Sequence, residues 1–308
     1  MEGLVRTVAL AEECGYEAAF VIESFGDPFA LLAACARESE RITLGTGVAT
    51  VFARETEVTV RGAVTVSALA GGRFVLGLGV GHPEIHAVRD DVDHERPVPF
   101  AHPLKRLRET IGAMRAANPG VPIWLGVLHP RALELAGELA DGVISLFLPV
   151  DRIPAVRAAI ARGAGRARRD PGAVTLAAYL PVCVDSDIEA ARLAMRHHVG
   201  TYLASYGYYR RHFEAIGLGA LVEQARGEAG AGMSALPGER LCSLIDDVTL
   251  DRIVLGGSAE VCRAGIERYR QAGLDLPIAY PVDPGFRGYL PGLDVEAEIR
   301  EAIVALSR

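Results

Sequence analysis

Acidic and histidine side chains stand directly after two apolar, strand-like runs of the sequence. Glu23 follows the first such run, and His82 and Glu84 come shortly after residues 74–78. A carboxylate or an imidazole can hold or move a proton during a reaction. The chain is predicted to form a βα barrel, and the reactive groups of such a barrel come from the C-terminal ends of its strands. These three residues are therefore candidates for proton transfer. The structural alternative is that Glu23 or Asp27 caps the helix that follows.

A histidine-rich stretch lies between residues 79 and 103 and holds half of the eight histidines of the chain. His82 and His86 are four residues apart, but a metal site built on them would need a helix through Pro83 and a third ligand. We therefore predict no metal site. The histidines of this stretch are interpreted as solvated loop residues, one or two of which face a substrate.

Anion binding is indicated where residues 123–126 lead into a predicted helix at Arg131. A strand that ends in glycine and enters a helix presents free backbone N–H groups, and the positive end of the helix dipole adds to their attraction for phosphate. The chain has one lysine, Lys105, among 32 basic residues, so such a site would use backbone groups and arginine. Residues 255–260 form either a second anion site or a turn capped by Ser258.

Glycine residues interrupt two of the predicted strands, within the segments 42–48 and 72–82. An isolated glycine in a strand marks a bulge or a place where another group approaches the backbone closely. A flat aromatic cofactor is one such group, and a bulge without a ligand is the alternative. The second run has the spacing G-x-G-x-G with no helix directly after it, so it is a poor match to a dinucleotide-binding fingerprint.

Strand-like runs alternate with longer helical patterns along most of the chain, which is typical of βα units around a parallel sheet. Seven or eight such strands favour an α/β fold of the TIM (β/α)8 type over an open sheet. We predict a single barrel domain over residues 1–308 with a helical insertion at 188–247. The first predicted element is a helix at residues 4–14, so the barrel is expected to lack its usual first strand. Residues 252–255 or 278–281 are expected to close the sheet. The other strands are predicted at residues 18–22, 42–47, 74–78, 123–126, 142–146 and 174–184.

Composition excludes several classes of protein. Half of the 308 residues are hydrophobic, mean hydropathy is +0.22 and the formal net charge is −7, which indicates a globular chain with no basic face for nucleic acid. The sequence has no apolar run long enough to span a membrane. Five scattered cysteines without a C-x-x-C pair favour a reducing cytoplasm. A tyrosine-rich segment, residues 202–212, is interpreted as a helix packing face, with a lid as the alternative.

Three segments, taken together, resemble a known family. They are ITLGTGV at residues 42–48, GGRFVLGLGVG at 71–81 and GVLHPRALELAGELADG at 126–142. In this order and at these separations they are similar to the bacterial luciferase-like superfamily, in particular to its coenzyme F420-dependent branch typified by methylenetetrahydromethanopterin reductase. The resemblance covers roughly residues 4–184.

The resemblance implies a TIM barrel with a flavin-type ring at the C-terminal mouth, lying against a bulge that contains a non-prolyl cis peptide at Gly47 and Val48. It also implies that backbone groups of residues 126–129 hold the cofactor phosphate, and that the turn after residues 18–22 and the loop after 74–78 line the site. The cofactor-binding positions that follow are Ser24, Thr46, Gly47, Val48, Gly79, Gly81, Gly126, Val127, Leu128 and His129.

The implied activity is hydride transfer between coenzyme F420 and a small organic substrate, with Glu23, His82 and Glu84 as catalytic candidates. Many F420 enzymes of the branch carry Asp-His where this chain has Glu23 and Ser24, so His82 or Glu84 would have to supply proton transfer. The alternatives are an FMN-dependent monooxygenase and a non-catalytic member of the family. The resemblance also implies a homodimer formed through the helices after the second and third family strands, which include the apolar residues 29–36.

Overall fold

A computed structural model of the chain describes residues 2–23, 26–81, 102–118, 120–227, 237–286 and 296–307. They form two compact units, the first from Met1–Ser145 and Val156–Leu176 and the second from Leu146–Ala155 and Ala177–Arg308. The strands, in chain order, are β1 (Ala18–Val21), β2 (Thr43–Thr46), β3 (Ala49–Thr50), β4 (Phe74–Gly79), β5 (Ile123–Gly126), β6 (Gly142–Leu146), β7 (Thr175–Val184), β8 (Leu255–Gly257) and β9 (Leu276–Pro281). The α-helices are α1 (Glu2–Glu13), α2 (Pro28–Arg37), α3 (Thr56–Leu69), α4 (Pro103–Ala117), α5 (Pro130–Leu139), α6 (Ile153–Arg166), α7 (Ile188–Ser205), α8 (Gly207–Ala215), α9 (Gly219–Gln224), α10 (Glu239–Leu244), α11 (Asp247–Ile253), α12 (Ala259–Gln271) and α13 (Glu296–Ser307).

The first unit is a parallel sheet with strand order β1-β2-β4-β5-β6, and β3 pairs with the far end of β4. Helices alternate with these strands along the chain, as parallel strands require, since each return to the same edge needs a crossover. Strands β2, β4, β5 and β6 are almost wholly buried, whereas β1 is half-buried. Burial on both faces explains why the four buried strands have continuous apolar sequences and not alternating ones.

Side chains of the first unit hold the start of α2 and the turn that leads into β2. Asp27 caps α2, because its Oδ1 accepts hydrogen bonds from the backbone N–H groups of Phe29 (2.8 Å) and Ala30 (3.1 Å). At the base of β2, the guanidinium of Arg73 donates to the carbonyls of Ile42 (2.6 Å) and Ser39 (3.0 Å). Of the two capping candidates named from the sequence, Asp27 is the cap and Glu23 has other partners.

Glycines of the first unit make room for protein groups. A Cβ on Gly45 of β2 would meet the ring of Phe20, and one on Gly142 of β6 would meet the ring of Trp124. The two rings stack with their centroids 5.5 Å apart. The glycine at position 45 is therefore explained by an aromatic ring of the protein itself.

In the second unit, β7 is flanked in parallel by β8 on one edge and β9 on the other. The aromatic ring of Phe147 packs against Tyr202 and Tyr209, with centroids 5.0 and 5.9 Å away. Both tyrosines are buried, as is Tyr206. The prediction of a packing face in residues 202–212 is confirmed for these three positions.

The end of the chain differs from the sequence prediction. Residues 252–255 do not form a strand, because α11 continues to Ile253 and β8 begins only at Leu255. Both β8 and β9 are present, where the sequence indicated one or the other. The apolar residues Leu250 and Ile253–Leu255 fit a buried helix face as well as a strand, and the pattern of so short a run does not separate the two.

Residues 255–260 contain the capped turn that the sequence predicts as one of two alternatives. The Oγ of Ser258 accepts a hydrogen bond from the backbone N–H of Val261 at 3.4 Å, so Ser258 is the N-cap of α12. None of the helices in the described part of the chain combines the length and apolar character needed to cross a membrane.

Candidate active site

The C-terminal ends of the strands in the first unit meet at one edge of the sheet. The register aligns Thr50 of β3 with Gly79 of β4, Gly79 with Gly126 of β5, and Gly126 with Ile144 of β6. Glu23 follows the end of β1, two residues after Val21. The sheet thus brings five predicted site residues to a common edge: Glu23, Gly47, Val48, Gly79 and Gly126.

A bulge separates β2 from β3 and contains a cis peptide bond between Gly47 and Val48, at the positions that the family resemblance implies. Before the bulge, the hydroxyl of Thr46 donates to the carbonyl of Gly77 at 2.6 Å, and Thr46 is 0% exposed. At the bulge, the N–H of Gly47 donates to the carbonyl of Val21 at 2.8 Å. The predicted cofactor residue Thr46 is therefore engaged inside the sheet, where it holds the strand that leads into the bulge.

Val48 reaches from the bulge across two neighbouring strands. A Cβ on Gly126 would lie 2.8 Å from Val48 Cγ1, and a Cβ on Gly79 would overlap Val48 Cγ2. The glycines at these two positions leave a hollow that the valine methyl groups occupy. Close approach of the Val48 side chain thus explains the glycines at positions 79 and 126. This is one of the two interpretations of a glycine within a strand.

Glu23 contacts Thr50 of β3 and Arg54, and its side chain is 4% exposed. Its Oε2 accepts hydrogen bonds from the backbone N–H of Thr50 (2.7 Å) and from the Thr50 hydroxyl (3.1 Å). The guanidinium of Arg54 donates to both carboxylate oxygens, from Nη2 to Oε1 at 2.6 Å and from Nη1 to Oε2 at 3.2 Å. Glu23 is therefore the centre of a buried, charge-assisted network.

Residues after β5 form the candidate phosphate site. Val127 is buried and donates its N–H to the carbonyl of Ile144, and the carbonyl of His129 accepts the first two helical hydrogen bonds of α5. Among the described residues, the backbone N–H groups of Leu128 and Arg131 have no hydrogen-bond partner. Two donors at a helix N-terminus, with an exposed arginine beside them, suit an anion.

Three predicted site residues, Ser24, His82 and Glu84, lie outside the described residues. Gly81 ends the described part of the loop after β4 and has a φ of +71°, a conformation that favours glycine.

Arg54 and Thr50 are site residues that the sequence did not single out. Arg54 stands in the short segment between β3 and α3, and no spacing links it to Glu23, which is 31 residues away. Because a buried carboxylate needs a partner, a cation near Glu23 is expected, but the sequence does not indicate which residue provides it.

The chain is similar in sequence and in fold to known proteins. The chain is 28% identical over 302 residues to the 5,10-methylenetetrahydromethanopterin reductase of Methanolobus tindarius, covering 89% of both chains. The structure of the coenzyme F420-dependent tetrahydromethanopterin reductase of Methanopyrus kandleri superposes with a TM-score of 0.76 at 19% identity, covering 99% of this chain and 93% of that one. The FMN complex of the oxygenating constituent of 3,6-diketocamphane monooxygenase from Pseudomonas putida superposes with a TM-score of 0.67 at 16% identity, covering 100% and 91%.

These likenesses define the class: an oxidoreductase with a luciferase-like TIM-barrel fold. The family model of the luciferase-like monooxygenases matches residues 1–118 and 116–276. The chain belongs to that family, and the resemblance found in the three glycine-containing segments is confirmed.

Proposed function

We propose that this protein is a coenzyme F420-dependent oxidoreductase that transfers a hydride between the deazaflavin and a small organic substrate. The observation that carries the proposal is the similarity over 89% of the chain to a methylenetetrahydromethanopterin reductase, since the family alone also includes FMN-dependent enzymes. When bound, F420 supplies a ring carbon that accepts or donates a hydride, and the protein contributes binding and orientation.

The residues present fit such a cofactor. A flavin-type ring needs a surface to lie against. The bulge at Gly47–Val48 stands at the C-terminal ends of the strands, where TIM barrels bind ligands. A phosphate needs donors, and the N–H groups of Leu128 and Arg131 are available in the described part of the chain. We assign the phosphate to residues 126–129 with Arg131, and the ring to the bulge.

For the chemical step we retain His82 and Glu84 as candidates for proton transfer, and Ser24 as a cofactor contact. The test is to mix the protein with reduced F420 and a panel of small carbonyl, imine and activated-alkene compounds, and to follow the return of the absorption of oxidised F420. We expect substrate-dependent oxidation by the wild type and at least tenfold slower oxidation by His82→Ala or Glu84→Gln. Turnover that both variants retain would remove these residues from the mechanism.

An FMN-dependent monooxygenase is the second candidate, because the FMN complex of the Pseudomonas putida enzyme shares the fold over the whole chain. It predicts oxygen uptake when reduced FMN and a substrate are supplied. Oxygen uptake with reduced FMN, together with no oxidation of reduced F420, would favour this candidate.

We also propose a cytoplasmic homodimer. The five cysteines of the chain are all free, which suits a reducing compartment, and the exposed apolar residues Val58 and Leu69 on α3 suit a subunit contact. Light scattering at micromolar concentration should give twice the mass of the 32.7 kDa chain. A mass of one chain would exclude the dimer.

A further inference from the structure

We propose that Glu23 and Arg54 are a positioning pair that fixes the segment from Gly47 to Thr50 for cofactor binding, and that Glu23 does not itself transfer a proton. The proposal rests on the proposed function only where it concerns the cofactor. The hold of the pair on the segment can be tested in the protein alone.

The first argument is the geometry of the pair. The guanidinium of Arg54 meets both carboxylate oxygens of Glu23 in the two-pronged arrangement that arginine favours with carboxylates. The side chains are 12% and 4% exposed, so water competes little for these contacts. A pair of this kind fixes orientation as well as distance.

The second argument is what the pair holds. Glu23 Oε2 accepts the backbone N–H of Thr50 at 2.7 Å, and the carbonyl of Val21 accepts the N–H of Gly47 at 2.8 Å. Gly47 in the bulge and Thr50 in the strand after it are thus bound to the last residue of β1 and to Glu23, two residues further on. On the other side, the N–H of Val51 donates to the carbonyl of Gly79 at 2.9 Å, so the segment is tied to the strands on both sides of it.

The third argument is that Arg54 is itself fixed. Its Nη2 lies 3.4 Å from Asp27 Oδ2, and its guanidinium carbon lies 5.2 Å from the centroid of the Phe29 ring. Asp27 is also the N-cap of α2. Arg54 therefore joins the end of β1, the start of α2 and the bulge.

The fourth argument separates positioning from proton transfer. A carboxylate that acts as an acid or a base must have an oxygen directed at the reacting group. Both oxygens of Glu23 are directed at donors of the protein, and a proton on either one would face the guanidinium of Arg54 or the hydrogen bonds of Thr50. We therefore assign Glu23 to the support of the site, with His82 and Glu84 left as the candidates for proton transfer.

The hold on the segment is tested by amide hydrogen exchange in the protein without cofactor. We expect the amides of Thr50 and Val51 to exchange about tenfold faster or more in Arg54→Met and in Glu23→Gln than in the wild type, since a charge-assisted hydrogen bond is lost. The control is Arg61→Met, which breaks an exposed pair on α3 with Glu57 at the same 2.6 Å separation and should leave both amides unchanged. Unchanged exchange in Arg54→Met would overturn the proposal.

The link to the cofactor is tested by the dissociation constant for F420, measured by cofactor fluorescence. We expect each single variant to bind about tenfold more weakly, and the double variant Glu23→Gln, Arg54→Met to bind no more weakly than the worse single. Such non-additivity is expected if Glu23 acts through Arg54. Losses that add in the double variant would show that Glu23 contacts the cofactor itself and would overturn the positioning role.

A milder pair of variants covers the case in which the charge variants unfold. Thr50→Val removes the hydroxyl that donates to Glu23, and Thr50→Ser keeps it. We expect Thr50→Ser to bind F420 like the wild type and Thr50→Val about threefold more weakly, with equal midpoints of thermal unfolding. Equal affinity of the two variants would contradict the proposal. A wild type that binds no F420 would overturn the proposed function and the link to the cofactor, whereas the exchange experiment would still decide the hold on the segment.

Discussion

Glu12 on α1 accepts hydrogen bonds from three consecutive backbone N–H groups, those of Glu40, Arg41 and Ile42, at 2.7 to 3.2 Å. These backbone hydrogen bonds, first that of Ile42, lower the pKa of Glu12 to about 2. The carboxylate thereby ties α1 to the turn that leads into β2. At the scale of single residues, two carboxylates hold the two ends of the β2–β3 region. Glu12 binds the turn before β2, and Glu23, paired with Arg54, binds Thr50 of β3.

The variant Glu12→Gln should be less stable at neutral pH by about 1–2 kcal/mol, since three hydrogen bonds to a charge become weaker. The folded pKa of about 2 lies below the usual glutamate pKa of 4.5, so the unfolded chain binds more protons between these values. The contribution of Glu12 is therefore complete above about pH 4.5 and is lost as the pH falls through about 2. Urea unfolding at pH 7 and pH 3 measures both effects.

The control for this experiment is Glu13→Gln, because Glu13 is the next residue on α1 and is exposed. It should leave the free energy of unfolding within about 0.5 kcal/mol of the wild type. A Glu12→Gln protein as stable as the wild type at pH 7 would show that the three backbone contacts contribute nothing.

Single-residue roles could be predicted only in part. The sequence predicts that Glu23 stands at a strand end, because the apolar run before it is clear. Its partner Arg54 could not be predicted, because it comes from a later segment that only the parallel pairing of β1, β2 and β4 brings near. The hydroxyl of Thr46, a predicted cofactor residue, donates to the carbonyl of Gly77 inside the sheet, and its contact with a cofactor stays a prediction.

At the scale of elements, glycines decide how closely strands and helices approach. Val48 fills the hollow over Gly79 and Gly126, so the bulge packs on β4 and β5. Between two helices of the first unit, a Cβ on the buried Gly163 of α6 would overlap the backbone of Glu134 on α5. The sequence shows these glycines as interruptions of apolar patterns, but it does not show which neighbour each one admits.

Gly126→Ala should reduce stability by about 1–3 kcal/mol, because the added methyl group overpacks Val48. The variant Val48→Ala removes the methyl groups that collide with it. We therefore expect the double variant to recover at least half of the loss caused by Gly126→Ala, in a double-mutant cycle of urea unfolding. Strictly additive losses would mean that the hollow over Gly126 is not filled by Val48.

Gly163→Ala should destabilise the protein by about 2–3 kcal/mol, since the two helix backbones must move apart. Gly165 lies on the same helix with nothing within 4 Å of its would-be Cβ, which makes it the matched control. Gly165→Ala should be neutral or more stable by up to about 1 kcal/mol, because alanine favours helix over glycine. Thermal unfolding of both variants measures the difference, and equal midpoints would contradict the close contact of α5 and α6.

At the scale of the whole molecule, the first and second units contain different aromatic groups whose signals can be followed during unfolding. The only tryptophan of the chain, Trp124, lies in the first unit. The second unit holds His198, 0% exposed, with its ring centroid 5.2 Å from Tyr202 and 5.4 Å from Tyr280. Burial lowers the pKa of His198 to about 3, so folding keeps this imidazole neutral over most of the pH range.

Acid should therefore weaken the second unit before full denaturation. The unfolded pKa is near 6.5 and the folded pKa is about 3, so stability is lost as the pH falls from about 6.5 to about 3, at no more than about 1.4 kcal/mol per pH unit. His198→Phe, which removes the titrating group, should flatten this dependence in the near-ultraviolet tyrosine signal. The half-buried neighbour His197 gives the control His197→Gln, which should retain it. If the stability of His198→Phe depends on pH with the same slope as that of the wild type, the acid sensitivity comes from another group.

The whole fold was the most predictable level. Alternation of apolar and helical runs indicated the barrel type, and the solved luciferase-like structures confirm it. The short strand β3 was not predicted, because two residues after a bulge carry no periodicity. The helical interpretation of residues 188–247 agrees with α7 to α10 in the described part, while its standing as an insertion into one barrel domain remains a prediction.

The proposed function is tested most directly by an equilibrium titration of the purified protein with oxidised F420 and, separately, with FMN, followed by cofactor fluorescence. We expect saturable binding of F420 at micromolar concentration or below, and FMN binding at least tenfold weaker. Saturable binding of FMN with no measurable affinity for F420 would contradict the assignment.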